Sequence, residues 1–172
     1  MSTPKVAILM GSASDLPAMA EAVRVLERFE IPVTVEVTSA HRSPERTVSI
    51  VRRCEEQGVA VFIVGAGMAA HLAGVVAAHT TRPVLGVPME GKLMGGLDAL
   101  LSTVQMPRGV PVATLAVGRS GAANAALFAV QVLALSDERL AARLAEDKRA
   151  MAEGVEKAAE TARETLRELL DG

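Results

Sequence analysis

Aromatic side chains are almost missing: the 172 residues include three Phe and neither Trp nor Tyr. The core must then be built from Val, Leu, Ile, Ala and Met, and a flat ligand has to be held by backbone and aliphatic surface rather than by ring stacking. A single cysteine, Cys54, excludes an intrachain disulfide. It falls in an apolar-and-charged helical pattern and reads as a packing residue. A basic excess is lacking too: the formal charge is −2 and the pI near 5.9, which argues against a protein that grips nucleic acid. No apolar stretch nears the roughly 18 residues of a membrane span, so no membrane partner is expected. The apolar run that follows Lys5 is short and ends at Gly11, unlike a signal peptide. The expected location is the cytoplasm.

What is present suits one globular domain. Half the residues are hydrophobic and 22% are charged, enough to bury a full core without disulfides or metals. "KVAILM", "IPVTVEV", "VAVFIVG" and "RPVLGVP" are short, apolar and partly β-branched, as strands covered on both faces are. A fifth strand is expected within "PRGVPVATLAVG". Between them lie helical patterns. "LPAMAEAVRVLERFE" places Leu16, Met19, Val23, Leu26 and Phe29 on one face. Ser43 is placed to cap a helix opened by Pro44 and closed at Gly58. "AGMAAHLAGVVAAHT" reads as a helix of small residues and "LDALLSTVQM" as another. "AANAALFAVQVLAL" is apolar almost all round and is expected to be buried. Alternation of strands and helices predicts a parallel sheet with right-handed crossovers, a three-layer α/β/α sandwich.

From Ser136 the composition changes, with 17 of the last 36 residues charged. Ser136 is expected to cap a long helix. Leu140, Met151 and Ala162 stand eleven apart, as do Leu144, Val155 and Leu166. That repeat is close to the pitch of a straight helix and keeps the stripe on one face. Some 30 residues would run about 45 Å, with Gly154 as the place for a bend. The expected organisation is an α/β catalytic domain over residues 1–135 and a helical extension over 136–172 that packs on a neighbouring subunit.

Ligands of open parallel sheets bind beyond the carboxyl ends of the strands. Those ends carry "GSASD", "TSAHR", "GAGMAAH" and "PMEGKLMGG". "GSASD" offers free N–H groups, hydroxyls and a carboxylate, fit for an anion or a ribose diol, or simply for helix capping by Ser14 or Asp15. "TSAHR" is harder to explain structurally. Ser39 and Ser43 serve as caps, but nothing structural calls for His41 or Arg42. An arginine at a helix start opposes the helix dipole, and an anionic ligand there would reverse the penalty, since its fork fits a phosphate. His41 beside it is the best candidate for moving protons near neutrality. His71 reads as a structural hydrogen-bonding residue unless it meets His41 across the cleft, and His79 as surface.

Absences narrow the chemistry. There is no GxxxxGK[ST] phosphate cradle and no GxSxG elbow, and "GSASD" is not GxGxxG. The three histidines lack metal-ligand spacing, so neither metal nor cofactor is expected. What remains is acid–base chemistry on a small phosphorylated ligand.

In order along the chain, "MGSASD", "SAHRSP", "GAGMAAHLAG", "GVP", "GLDALLSTVQMPRGVPVATLAVG" and "GAANAALFAVQVLAL" resemble the bacterial-type 5-(carboxyamino)imidazole ribonucleotide mutases of purine biosynthesis. The resemblance covers roughly residues 4–140. It implies a flavodoxin-like fold, a homo-octamer with active sites at subunit contacts, and transfer of a carboxylate from the exocyclic nitrogen to ring carbon C4 of an aminoimidazole ribonucleotide. It implies that Ser12 and Asp15 bind the ribose-phosphate end, with Ser14 and Ser39 adding hydrogen bonds, and that Arg42 grips the 5′-phosphate. It further implies that His41 carries the proton, that His71 helps position the carboxylate, and that Gly67 and Ala70 belong to the loop against which CO2 is held. Three positions depart from the family pattern: Leu16 where Trp is frequent, Met68 where a third glycine is common, and Ala73 where Pro is common.

Three rival functions share parts of this pattern. A related carboxylase makes the same product from aminoimidazole ribonucleotide and free CO2, but that branch usually reads "SAHK" followed by glycine. An aldose-phosphate isomerase would want a carboxylate or thiolate base in the cleft, and Cys54 is on the wrong part of its helix. A non-catalytic nucleotide-sensing module would need the ligand site and not His41.

Overall fold

The computed structural model describes residues 5–171. Five parallel strands, β1 (Val6–Met10), β2 (Val33–Val37), β3 (Val61–Ala66), β4 (Val84–Pro88) and β5 (Ala113–Thr114), form one sheet in the order β2-β1-β3-β4-β5. β1 sits between two neighbours in matched register, with Ile8 opposite both Val35 and Ile63. The helices are α1 (Leu16–Arg28), α2 (Pro44–Glu56), α3 (Leu72–Ala78), α4 (Leu97–Val104), α5 (Gly118–Ala134) and α6 (Glu138–Asp171).

Alternate residues of each strand feed two cores. Ala7 and Leu9 of β1 and Phe62 and Val64 of β3 pack with Ile50, Val51 and Cys54 of α2, with Leu72 and Val76 of α3 and with Ala99 of α4. The opposite face takes α1 and α5. Gly65 lets α1 approach so closely that an added Cβ would lie 2.7 Å from Met19 Sδ, and a Cβ on Gly121 of α5 would meet Val87 at 3.2 Å. The result is the expected three-layer sandwich. β1, β3 and β4 are wholly buried, as their continuous apolar runs predict. β2 is an edge strand and only half covered.

Several local expectations need correction. Ser43 stands at the N-cap of α2, yet its hydroxyl makes no capping bond; it turns back to accept from the Ser39 amide at 3.2 Å and donate to the Ser39 carbonyl at 3.3 Å. Gly58 ends α2 as expected, at φ 83, with its amide donating to the Glu55 carbonyl. The fifth strand is only two residues long. α5 begins four residues earlier than the alanine run suggests and is not buried all round: Gly121, Ala122, Ala125, Ala126 and Ala129 face the core, while Phe128 is 42% exposed. Its small residues fit the sheet, and Phe128 stands on the other side of the helix.

The chain divides into two compact units after Val132. In the second, α6 runs 34 residues through Gly154 without interruption and buries none of them. Its cap is Asp137 rather than Ser136: the Asp137 carboxylate accepts from the amides of Arg139 at 3.0 Å and Leu140 at 3.3 Å, while the Ser136 hydroxyl donates to the Leu133 carbonyl. No helix among the described residues is long and apolar enough to cross a membrane.

Candidate active site

The strand order 2-1-3-4-5 puts the topological switch point between β1 and β3, where doubly wound sheets open a crevice at their carboxyl ends. A cavity of about 880 Å³ lies there. Its wall is made by four consecutive strand ends: Gly11, Ser12, Ser14 and Asp15 after β1; Ser39 to Arg42 after β2; Ala66 to Ala69 with His71 and Leu72 after β3; and Met89 to Lys92 after β4. Beyond Asp15 the cleft continues into a smaller hollow of about 220 Å³ that reaches Gly118 and Arg119.

After β1 the chain makes a tight 3-10 turn, Ala13–Asp15, before α1. Capping here is done by Ser12, whose Oγ accepts from the Ser14 amide at 3.2 Å and the Ser14 hydroxyl at 2.7 Å. Asp15 occupies the N-cap of α1 without spending its carboxylate on a capping bond. Burial pushes that carboxyl up from its ordinary range, against the opposing pull of the Ser12 amide and the Ser14 hydroxyl. The structural use assigned to Ser14 and Asp15 thus falls to Ser12. A half-buried acceptor is left on the cavity wall.

After β2, Thr38 and Thr47 share a buried hydroxyl hydrogen bond of 2.9 Å that fixes the turn onto α2. Ser39 Oγ accepts from both the Arg42 amide at 3.2 Å and Arg42 Nε at 3.4 Å. Arg42 is thereby oriented at the cavity, and among the described residues no carboxylate pairs with it. A fixed guanidinium without an acidic partner is ready for an anion.

The two histidines meet. His41 Nε2 and His71 Nδ1 are 2.7 Å apart, with the rings edge-on at 74° and their centroids 4.8 Å apart. His71 is therefore part of the site rather than an isolated structural residue. It reaches His41 because residues after Ala66 do not continue as helix. The Met89 amide donates to the Ala66 carbonyl at 2.9 Å, the loop opens, and α3 begins only at Leu72. The expected small-residue helix from Ala66 is corrected accordingly. Gly67 lines the cavity, where a Cβ would touch that of Met89 at 3.4 Å. Ala70 does not: it is 1% exposed and packs into the core beneath the loop. His79 lies exposed at the end of α3, outside the cavity.

Cys54 is buried, and burial raises its thiol above the ordinary range with the Arg53 charge opposing; it packs and does not face the site. Among the described residues no three His, Cys, Asp or Glu side chains are grouped to hold a metal ion. Met89, Glu90 and Lys92 line the cavity without having been singled out in the sequence. Their only signal was position, in the loop that follows the fourth apolar run.

Comparison with known proteins fits this geometry. The family model described as AIR carboxylase matches residues 5–154. The N5-carboxyaminoimidazole ribonucleotide mutase of Pyrococcus abyssi is 58% identical over 132 residues, 77% of this chain and 75% of that protein. The mutase of the same name from Escherichia coli K12 is 50% identical over 151 residues, 88% of this chain and 89% of that one. The crystal structure of PurE from Treponema denticola superposes with a TM-score of 0.82 at 27% identity, covering 90% of this chain and 95% of that chain. A family match spanning most of the sequence, joined to relatives sharing half or more of their aligned residues, shows that the chain belongs to the AIR carboxylase family.

Proposed function

We propose that the protein is an N5-carboxyaminoimidazole ribonucleotide mutase acting in purine biosynthesis, moving a carboxylate from the exocyclic nitrogen to C4 of the imidazole. The observation that carries this reading is the His41–His71 contact of 2.7 Å in a cavity that also presents Arg42, Ser39, Ser12, Ser14 and Asp15. Its support from relatives is the mutase name shared by the Pyrococcus abyssi and Escherichia coli proteins.

The residues divide the work by their chemistry. Arg42, held by Ser39, suits the 5′-phosphate, and the Ser14 hydroxyl, bonded to Ser12 Oγ, lines the same cavity. The Asp15 carboxylate suits the ribose hydroxyls. The aminoimidazole then lies toward the histidines and Gly67. Cleavage of the carbamate N–C bond leaves its electron pair on nitrogen, which takes up a proton, and frees CO2. C4 attacks that CO2 and must lose a proton to restore the aromatic ring. One proton is given and one is taken, so a single carrier, His41, serves both steps and returns to its starting state. The N–H···N bond to His71 orients the ring and lets the proton be shared between the two imidazoles while the bonds change. No cofactor is required by this balance.

The chain works as a homo-oligomer, an octamer on the family's pattern, in the cytoplasm, with residues 136–172 docking on a neighbouring subunit. Supporting assembly are large apolar side chains left in solvent: Val35 and Val37 on the β2 edge, Leu101 and Val104 on α4, and Phe128 on α5. Along α6, Met151, Val155 and Leu166 of the eleven-residue stripe are 54%, 70% and 56% exposed.

The test follows the purified protein by ultraviolet absorbance, without ATP or metal, on 5-(carboxyamino)imidazole ribonucleotide and, in parallel, on aminoimidazole ribonucleotide with bicarbonate. Formation of the 4-carboxy product from the carbamate alone supports the mutase. Comparable efficiency on the second mixture moves the protein to the carboxylase reaction named by the family description. Silence in both overturns the reading.

A further inference from the structure

Along α6 the eleven-residue stripe has a third member. Asp147, Ala158 and Leu169 repeat at the same spacing as the two sets that start at Leu140 and Leu144. The seam therefore advances by four, three and four residues in turn and stays in line for about 45 Å, from Leu140 to Leu169. The opposite face is charged, with Arg149, Glu153, Glu160 and Glu164. None of the 34 residues of the helix is buried, and Leu169 and Leu170 at its far end are 74% and 77% exposed. The seam also runs past residue 154, where the family match ends, so its second half is an addition to the matched region.

We infer that the seam is covered by the same helix of a second copy, laid antiparallel and centred on Val155; this deepens the docking role given to residues 136–172 above and rests on it. The first reason is that the seam is complementary to its own reversal. With Val155 on Val155, Met151 meets Ala158, Asp147 meets Ala162, Leu144 meets Leu166 and Leu140 meets Leu169, each within one residue of exact register. Large side chains then face small ones near the middle, and leucines face leucines at the ends, which fills the space between two helices. The parallel arrangement sets Asp147 against Asp147 and leaves Ala158 and Ala162 facing their own copies, a like-charge contact beside a gap. The second reason is Gly154, next to the centre. A glycine weakens a helix interior, and beyond its own turn no atom of the chain stands within 4 Å of a Cβ placed there, among the described residues. A second backbone approaching at Val155 uses that room. Even as a flat strip about 10 Å wide, the seam offers roughly 450 Å² on each copy, close in total to the ~1,000 Å² of a specific contact. An antiparallel pair is isologous, so it closes on itself and adds a two-fold contact without open-ended growth.

The test is cross-linking by introduced thiols, which report alone because Cys54, the chain's one cysteine, is buried. Full-length Val155→Cys, Leu144→Cys, Leu166→Cys, the Leu144→Cys/Leu166→Cys double variant and Glu164→Cys are oxidised with copper phenanthroline under native conditions and run on non-reducing gels. Val155→Cys should form a linked dimer several-fold faster than Glu164→Cys, which lies on the opposite face and measures random collision. Leu144→Cys and Leu166→Cys should each stay at the collision rate, while the double variant links two copies. Within one chain those two positions are about 33 Å apart and cannot join. Fast linking by both single variants means a parallel pair and overturns the inference, as does a Val155→Cys rate equal to that of Glu164→Cys. Deleting residues 145–172 tells the pair from the broader docking role. A smaller assembly on deletion, with Val155→Cys unlinked, overturns the antiparallel pair and leaves α6 docked elsewhere on the neighbour. An unchanged mass overturns the docking role, and the pair with it.

Discussion

Replacing His41 and His71 by Asn, singly and together, asks whether the two rings act as one unit. Neither ring belongs to the buried core, so the variants should melt with the parent and the comparison stays kinetic. His41→Asn removes the proton carrier, and positioned acid–base groups contribute roughly 10²–10⁴ in rate. His71→Asn leaves the carrier and deletes the 2.7 Å bond that orients it. A hydrogen bond with one charged partner is worth about 1.5–3 kcal/mol, which converts to a loss of roughly 10- to 150-fold in kcat. Once His41 is gone, His71 has nothing left to orient. The double variant should therefore lose about as much as His41→Asn alone, as groups acting as a unit do. Independent action predicts the product of the two losses, roughly 10³–10⁶. Initial rates at saturating carbamate substrate, followed by absorbance, separate these outcomes, and titration with the product checks that binding survives. Multiplicative losses, or a His71→Asn protein with the parent's kcat, would refute the shared-proton mechanism.

Three further outcomes follow from the same geometry. Arg42→Ala removes the guanidinium that Ser39 orients, and loss of its charge-assisted bonds to the ligand should raise KM about 10- to 150-fold with a smaller effect on kcat; unchanged affinity would sink the phosphate assignment. Burial raises the Asp15 carboxyl above its ordinary range, so the folded chain binds that proton more readily than the unfolded one. The ionised group therefore detracts from stability above its folded pKa, and the loss fades as pH falls toward the ordinary carboxylate value near about 4. Asp15→Asn should accordingly melt above the parent at neutral pH, lose that advantage in acid, and bind substrate more weakly; a lower melting point at neutral pH would contradict the sign. Deleting residues 145–172 takes away most of a helix that buries none of its residues within the chain, and light scattering should report a smaller assembly, an unchanged mass ruling out the docking role.

How much of this was legible in the sequence depends on how local each feature is. β1, β3 and β4 were readable because each is a short apolar run bounded by turn residues, and a parallel sheet buries such runs on both faces. α1 and α2 were readable from one-faced periodicity with Pro in the first turn. His41 and Arg42 stood out because the end of a strand had no structural use for them. His71 could not be assigned from its own neighbourhood: its partner is 30 residues away, and only the order of the strands brings the ends of β2 and β3 to one cleft. The outer face of α5 misled for the opposite reason. An apolar surface looks the same in sequence whether the chain itself covers it or leaves it open, and Phe128 shows that here it is open.

The loop after β3 is the place where local rules and the observed backbone disagree most, and the disagreement coincides with the cleft. Residues 66–71 contain three alanines and a methionine, all strong helix formers, and they do not form helix. A helix starting at Ala66 would satisfy local preference, but the Ala66 carbonyl accepts instead from the Met89 amide at 2.9 Å, which extends the β3–β4 ladder. Met68 then takes a left-handed conformation, Ala70 turns into the core, and His71 arrives 2.7 Å from His41 as the N-cap of a shortened α3. Each of those steps gives up something that propensity favours, and together they produce the one contact on which the proposed chemistry depends. A segment that resists its own composition in this way is itself a marker of function.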